Sequence, residues 1–156
     1  MSTERSEEAA PPPELRLYGE QDLRALHALA DPSQLTMLGL YVCDLSNLSP
    51  LAGFSQLTTL EMQWCQQVRD LSPLAGLSQL TLLCLQGCEQ VNNLGPLAGL
   101  SQLTSLSLAW CRQVSDLSPL AGLTQLTDLD LRGCARRIHA AQLHALAGLP
   151  HLTILR

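Results

Sequence analysis

Cysteine and histidine are the side chains in this sequence best suited to hold a metal or attack a substrate, and there are six of the first and four of the second. Five of the cysteines, Cys43, Cys65, Cys88, Cys111 and Cys134, follow one another at spacings of 22, 23, 23 and 23 residues. Metal knuckles need ligands a few residues apart that converge on one point, whereas a constant long spacing strings these five along a line. The pattern predicts a ladder of buried thiols that pack as small apolar groups and bond weakly to loop backbone. Neighbouring rungs come within the Cα distance of a bridge, but a disulfide also requires side-chain vectors that face each other. Cys84 and Cys88 form a C-x-x-x-C pair, yet strand alternation turns Cys84 outward and Cys88 inward. Cys84 as a nucleophile would need a base beside it, and no His or Asp holds the matching position of an adjacent repeat. His139 and His144 are five residues apart and do not share a helix face, so these two, with His27 and His151, are expected on the surface near the ends. No catalytic, metal or cofactor site is predicted, and the protein is read as a non-enzyme. Unpaired thiols also imply a reducing, cytoplasmic location.

A repeat sets the positions of all these residues. Leu51-Ala52-Gly53-Phe54-Ser55-Gln56-Leu57 returns as LAGLSQL from Leu74 and from Leu97 and as LAGLTQL from Leu120, with starts 23 residues apart. A period in the twenties marks a solenoid, one small unit stacked on copies of itself. In the clearest copy the apolar positions are Leu57, Leu60, Met62, Cys65, Val68, Leu71, Leu74 and Leu77. Leu60 and Met62 alternate with Glu61 and Gln63, the period-two signature of a short strand with one buried face. The pair recurs as Leu38/Leu40, Leu83/Leu85, Leu106/Leu108 and Leu129/Leu131, with a degenerate copy at Leu15/Leu17 and a last one at Leu155. These observations predict an α/β solenoid with a parallel sheet of about seven short strands.

The return half of each repeat is compact. Ser49-Pro50, Ser72-Pro73 and Ser118-Pro119 place a hydroxyl just before a proline whose φ suits a first helical position, and Gly95-Pro96 does so without the hydroxyl. Gly53, Gly76, Gly99 and Gly122 follow where a left-handed residue would end the turn, so only short 3₁₀ turns fit. Asp70 and Asp116, with Asn47 and Asn93 at the same position, are expected to cap these turns. Helical caps are predicted near both ends, at residues 20–30 and 138–146. Residues 1–14, acidic and proline-rich, read as a disordered tail, and 15–156 as one domain with an N-terminal capping repeat at about 15–34.

Composition narrows the function. The net charge of −5 argues against nucleic acid as a partner. All nine basic residues are arginine, which excludes a P-loop or Schiff-base lysine. No apolar run is long enough to span a membrane, and the start lacks the pattern of a secretory signal.

The segment Leu57-Thr58-Thr59-Leu60-Glu61-Met62-Gln63-Trp64-Cys65 resembles the core of the leucine-rich repeat, with Cys where Asn often stands. The resemblance covers roughly residues 15–156. The cysteine form is similar to the cysteine-containing class, and the short Asp70-Leu71-Ser72-Pro73-Leu74-Ala75-Gly76-Leu77 return resembles the 22-residue class common in bacteria and parasitic protozoa. The chain reads as a hybrid of the two, and no F-box stands in it. The resemblance implies a protein-interaction module that binds its partner on the concave face. A regulatory adaptor or inhibitor of a larger assembly, such as a ubiquitin ligase, a kinase or phosphatase, or an immune or effector complex, is the alternative.

If the leucines build the scaffold, recognition belongs to what varies. Outward strand positions expected on the concave face include Tyr41, Glu61, Gln63, Leu82, Cys84, Gln86, Asp128, Asp130 and Arg132. Leu82 and Cys84 supply an apolar patch, and Asp128 and Asp130 an acidic pair. The next column reads Val42, Trp64, Gly87, Trp110, Gly133 and holds both tryptophans of the chain, with Arg112 two residues past Trp110. Two accounts of the indoles stand side by side: partner anchors, or covers for the cysteine turns beside the gap left by Gly87. Arg132, Arg136 and Arg137 make a small basic spot, and the last strand offers an open edge for association with another chain.

Overall fold

The computed structural model describes residues 14–19, 26, 31–134 and 138–156. Seven parallel strands pair in chain order: β1 (Glu14–Tyr18), β2 (Met37–Tyr41), β3 (Thr59–Gln63), β4 (Leu82–Cys84), β5 (Ser105–Ser107), β6 (Asp128–Asp130) and β7 (Thr153–Leu155). The register puts Leu15, Leu38, Leu60, Leu83, Leu106 and Leu129 in one row, so one apolar side chain per repeat meets its copy in the next. These leucines and those of the return turns form one core cluster, and no polar side chain is buried among the described residues.

Three kinds of polar contact close what leucine burial leaves open. The five ladder cysteines are free and buried. Their thiols donate to carbonyls of the preceding repeat, from Cys65 to Leu40 at 3.5 Å through Cys111 to Leu85 at 3.0 Å to Cys134 and Leu108 at 2.9 Å. The expected ladder is therefore present. A second ladder runs through threonine: the Thr58, Thr81, Thr104 and Thr127 hydroxyls each donate to the carbonyl of the threonine one repeat earlier, at 3.0–3.1 Å. The third contact is the turn cap. Asp70 accepts from the Ser72 amide at 2.8 Å, and Asp116, Asn47 and Asn93 do the same for Ser118, Ser49 and Gly95 at 2.9 Å.

Those caps correct one sequence expectation. The 3₁₀ turns at Ser49–Gly53, Ser72–Leu74, Gly95–Leu97 and Ser118–Leu120 begin with a leucine as N-cap, and no serine hydroxyl caps them. The serine stands inside the turn, while the Asp or Asn two residues earlier has the reach to bond its amide. Nor is a left-handed glycine needed to end the turn. Gly53, Gly76, Gly99 and Gly122 are absent from the positive-φ positions, which are Gly19, Gly87 and Gly133 among the glycines.

The last strand departs from the expected phase. Leu129 pairs with Ile154 and Asp130 with Leu155, one residue out of step with the Leu155 alignment. A one-residue slip exchanges the two faces of a strand, so Ile154 packs toward the core while Leu155 is 51% exposed. The repeat before it is longer because it contains an α-helix, Ala140–His144, within the predicted 138–146 span and started by a reciprocal bond pair between His139 and Gln142. The predicted helix at 20–30, the tail, His27, Arg136 and Arg137 lie outside the described residues apart from Leu26, which is buried and helical, and Glu14, which opens β1.

Candidate functional site

The sheet's open face carries three outward rows. Met37, Thr59, Leu82, Ser105 and Asp128 form the first; Arg16, Gly39, Glu61, Cys84, Ser107, Asp130 and Leu155 the second; Tyr18, Tyr41 and Gln63 begin the third. Gln86 and Arg132 stand two residues past Cys84 and Asp130, just beyond the shorter strands β4 and β6. The predicted residues thus share one face, in three distinct environments.

At the N-terminal end the Tyr41 ring folds back over Gly39, where an added Cβ would come within 2.6 Å of it. Its hydroxyl donates to the Glu61 carboxylate, and its ring stacks on Tyr18 with centroids 4.9 Å apart and planes at 17°. Burial, with Glu61 beside it, pushes the Tyr41 phenol up. In the middle, Cys84 sits between Glu61 and Ser107. Burial raises its thiol pKa, and the Glu61 and Asp130 charges add to the rise while Ser107 opposes it. The adjacent register position thus holds a carboxylate, Glu61, where a His or Asp is absent, and its charge helps to keep the thiol protonated. At the C-terminal end the expected acidic pair is split. Asp130 accepts two bonds from the Arg132 guanidinium, at 2.9 and 2.6 Å, which hold its carboxyl below the usual range. Asp128 accepts from the Thr127 hydroxyl at 2.7 Å.

The column beyond these rows is conformationally distinct. Gly19, Val42, Trp64, Gly87, Trp110 and Gly133 all have positive φ, between 56° and 78°. The reason is the hand-off between strand and cysteine turn. The amides of Gly19, Val42, Trp64, Gly87 and Trp110 still reach the next repeat, as in Val42 to Gln63 at 2.8 Å, Trp64 to Gln86 at 2.7 Å and Trp110 to Arg132 at 2.7 Å, while from Val42 onward the chain must turn inward to bury the cysteine that follows. Glycine adopts this conformation freely, but for other residues it costs about 1–2 kcal/mol. Glycine at half the positions of the column was the available sequence signal.

This conformation decides where the indoles go. A Cβ on Gly87 would lie 2.4 Å from the Trp64 ring, and one on Gly133 would lie 2.7 Å from the Trp110 ring. Each indole therefore lies across the glycine of the following repeat. Gly87 is the floor under Trp64, not a gap between two tryptophans. The outer faces stay open, with Trp64 38% and Trp110 42% exposed, and with Tyr18 and Val42 also exposed they make an aromatic and apolar edge. Arg112 lies over the Trp110 ring, 5.5 Å from its centroid, and its Nε is 4.0 Å from Glu89. Beside Trp64 there is instead a recess of about 360 Å³ lined by Val42, Cys43, Asp44, Trp64, Gln66 and Gln67.

Val42 is a test of the backbone account. It is β-branched, held at φ 56° and 65% exposed, so it is strained and buries little. Val42→Gly is expected to raise stability by up to about 1 kcal/mol, since relief of left-handed strain exceeds the extra entropy of an unfolded glycine. Urea unfolding reads this directly; a lower midpoint would contradict the strain.

Among the described residues no three His, Cys, Asp or Glu side chains come together as metal ligands, and no helix is long and apolar enough to cross a membrane.

No protein-family model matches the sequence, and no curated protein matches it. Among solved structures the chain is similar to internalin C2 of Listeria monocytogenes, with 38% identity and a TM-score of 0.68 over 81% of this chain and 53% of that one. It also shares the fold of a Listeria monocytogenes internalin, InlF, at 23% identity and a TM-score of 0.53, covering 78% of this chain and 41% of that one. The chain thus spans about half the length of the internalins it matches.

Proposed function

Since the chain is a leucine-rich-repeat protein, we propose that it is a non-catalytic interaction module that binds a protein on the concave face and the adjoining tryptophan edge. The observation that carries this reading is the edge itself: two half-exposed indoles are held in a strained backbone conformation on a rigid scaffold. Strained conformers gather where a side chain is being presented, and tryptophan is a preferred interface anchor. Backing from Gly87 and Gly133 gives each ring one fixed orientation, so little side-chain freedom is lost on binding. The partner surface is taken to comprise Tyr41, Glu61, Gln63, Trp64, Leu82, Cys84, Gln86, Trp110, Arg112, Asp128, Asp130 and Arg132.

A non-enzymatic role is supported by Cys84, whose environment favours the thiol over the thiolate that a nucleophile requires. The acidic net charge supports a protein partner over nucleic acid. The free, buried thiols of the ladder support a reducing, cytoplasmic setting. The test of the main reading is a pull-down from the source organism with mass spectrometry, run in parallel with wild type and with Trp64→Ala/Trp110→Ala. A partner retained by wild type and lost by the double variant is the expected result. Equal retention by both would remove the tryptophan edge from the binding surface.

A further inference from the structure

The two tryptophans occupy equivalent positions, but only Trp110 has a cation over its ring. At Trp110 the residue after the ladder cysteine is Arg112, which lies over the ring, and the residue after the preceding ladder cysteine is Glu89, which faces the guanidinium. At Trp64 the same two positions hold Gln66 and Asp44. The ring and the carboxylate are repeated, but the cation is missing. Both indoles lean toward the following repeat, over Gly87 and Gly133, so both leave the side facing the preceding repeat open. At Trp110 that side is filled by Arg112. At Trp64 it is the recess lined by Val42, Cys43, Asp44, Gln66 and Gln67. Asp44 is exposed and makes no hydrogen bond or ion pair among the described residues.

We propose that this recess is a subsite for an arginine side chain of the partner protein, seated on Trp64 and paired with Asp44 as Arg112 is seated on Trp110 and paired with Glu89. The chemistry of each wall fits that occupant. The indole face attracts a planar guanidinium and excludes water from one side of it. The Asp44 carboxylate meets the charge, the Gln66 and Gln67 amide oxygens can accept remaining N–H groups, and Val42 covers the aliphatic stem. The chain's own net charge of −5 favours approach of a basic segment. The inference rests on the reading that the tryptophan edge binds protein, and adds which side chain it takes.

The probe is a blocked Gly-Arg-Gly peptide, with Gly-Gln-Gly as control, titrated into the ¹⁵N-labelled protein while the two indole N–H resonances are followed. The Trp64 resonance is expected to shift saturably with the arginine peptide alone and the Trp110 resonance to stay still, because Arg112 already fills its site. Asp44→Asn is expected to weaken binding about fivefold. Gln66→Arg is expected to abolish it by filling the slot from within, with an unchanged circular-dichroism spectrum. An unmoved Trp64 resonance, equal shifts at both indoles, or full-strength binding by both variants would overturn the subsite. If Trp64 ignores the peptide while Trp64→Ala/Trp110→Ala still loses the captured partner, the arginine assignment falls and the interaction reading stands. If the peptide binds as described but the double variant keeps its partner, the reading falls and the subsite stands.

Discussion

Gly87→Val is expected to destabilise the protein by about 3 kcal/mol and to expel the Trp64 indole into solvent. Two effects add. The backbone at Gly87 has φ 72°, where valine is strained by about 1–2 kcal/mol. The new Cβ would also lie 2.4 Å from Trp64 Cε3 and 2.6 Å from the ring-fusion atom Cδ2, neither of which can move without the whole ring. Val42 separates the two effects, because it shows that a valine can occupy this column where no indole lies across it. The cost at position 87 beyond simple strain therefore belongs to the ring. In a Trp64→Gly background the same substitution should cost only the strain, about 1–2 kcal/mol. Urea unfolding of the four proteins gives the coupling, and Trp64 fluorescence in a Trp110→Phe background reports the ring. Additive effects, with a ring emission unchanged by the valine, would show that the indole does not rest on Gly87.

The cysteine ladder makes stability fall steeply in alkali. Burial raises the Cys65 thiol from 9.0 to about 11 and the Cys88 thiol to about 12, and pushes Cys43, Cys111 and Cys134 up as well. The folded chain holds these protons above pH 9, where the unfolded chain releases them. The stabilising contribution is thus complete below pH 9 and is lost as pH rises from there toward about 11 and 12. Each strongly shifted thiol removes about 1 kcal/mol per pH unit in that window. Cys65, Cys88 and Cys111 together remove roughly 3–4 kcal/mol at pH 10, a large part of an ordinary domain's stability. The urea midpoint is expected to drop sharply between pH 8.5 and 10.5, and less sharply in Cys88→Ala. A midpoint independent of pH in both proteins would mean that the ladder does not hold its protons.

Much of this architecture is legible in the sequence because it depends on periodicity. Leucine phase gives the strands, the turns and the buried row, and cysteine spacing gives the ladder. Asp70 and Asn93 announce themselves as caps by recurring beside a Ser-Pro or Gly-Pro turn. What periodicity does not carry is backbone sign and side-chain direction. The left-handed column mixes valine, tryptophan and glycine, and the strand-to-turn hand-off that forces its φ is a property of the stacked chain. For the same reason the recurring glycines of the LAG phrase invite a left-handed assignment that the structure gives to Gly87 and Gly133 instead. The threonine ladder is hidden inside the repeated Gln-Leu-Thr, where a polar residue at a turn looks like a solvated one. The slip at β7 follows from a longer last repeat: Leu129 pairs with Ile154, so a 23-residue count from Leu129 stops short of it, at Leu152. At the candidate site the sequence identifies the positions but not their pairings: Arg132 with Asp130, Tyr41 with Glu61, and each indole with the next glycine.

Protein binding by the tryptophan edge and the concave face beside it is what we propose for this chain. The most direct measurement is calorimetric titration of the partner retained in the pull-down against wild type and Trp64→Ala/Trp110→Ala, with unfolding curves of both run alongside. Loss of two anchors of this type predicts at least about a hundredfold weaker binding by a variant that still unfolds cooperatively. The same affinity for both proteins would contradict the account.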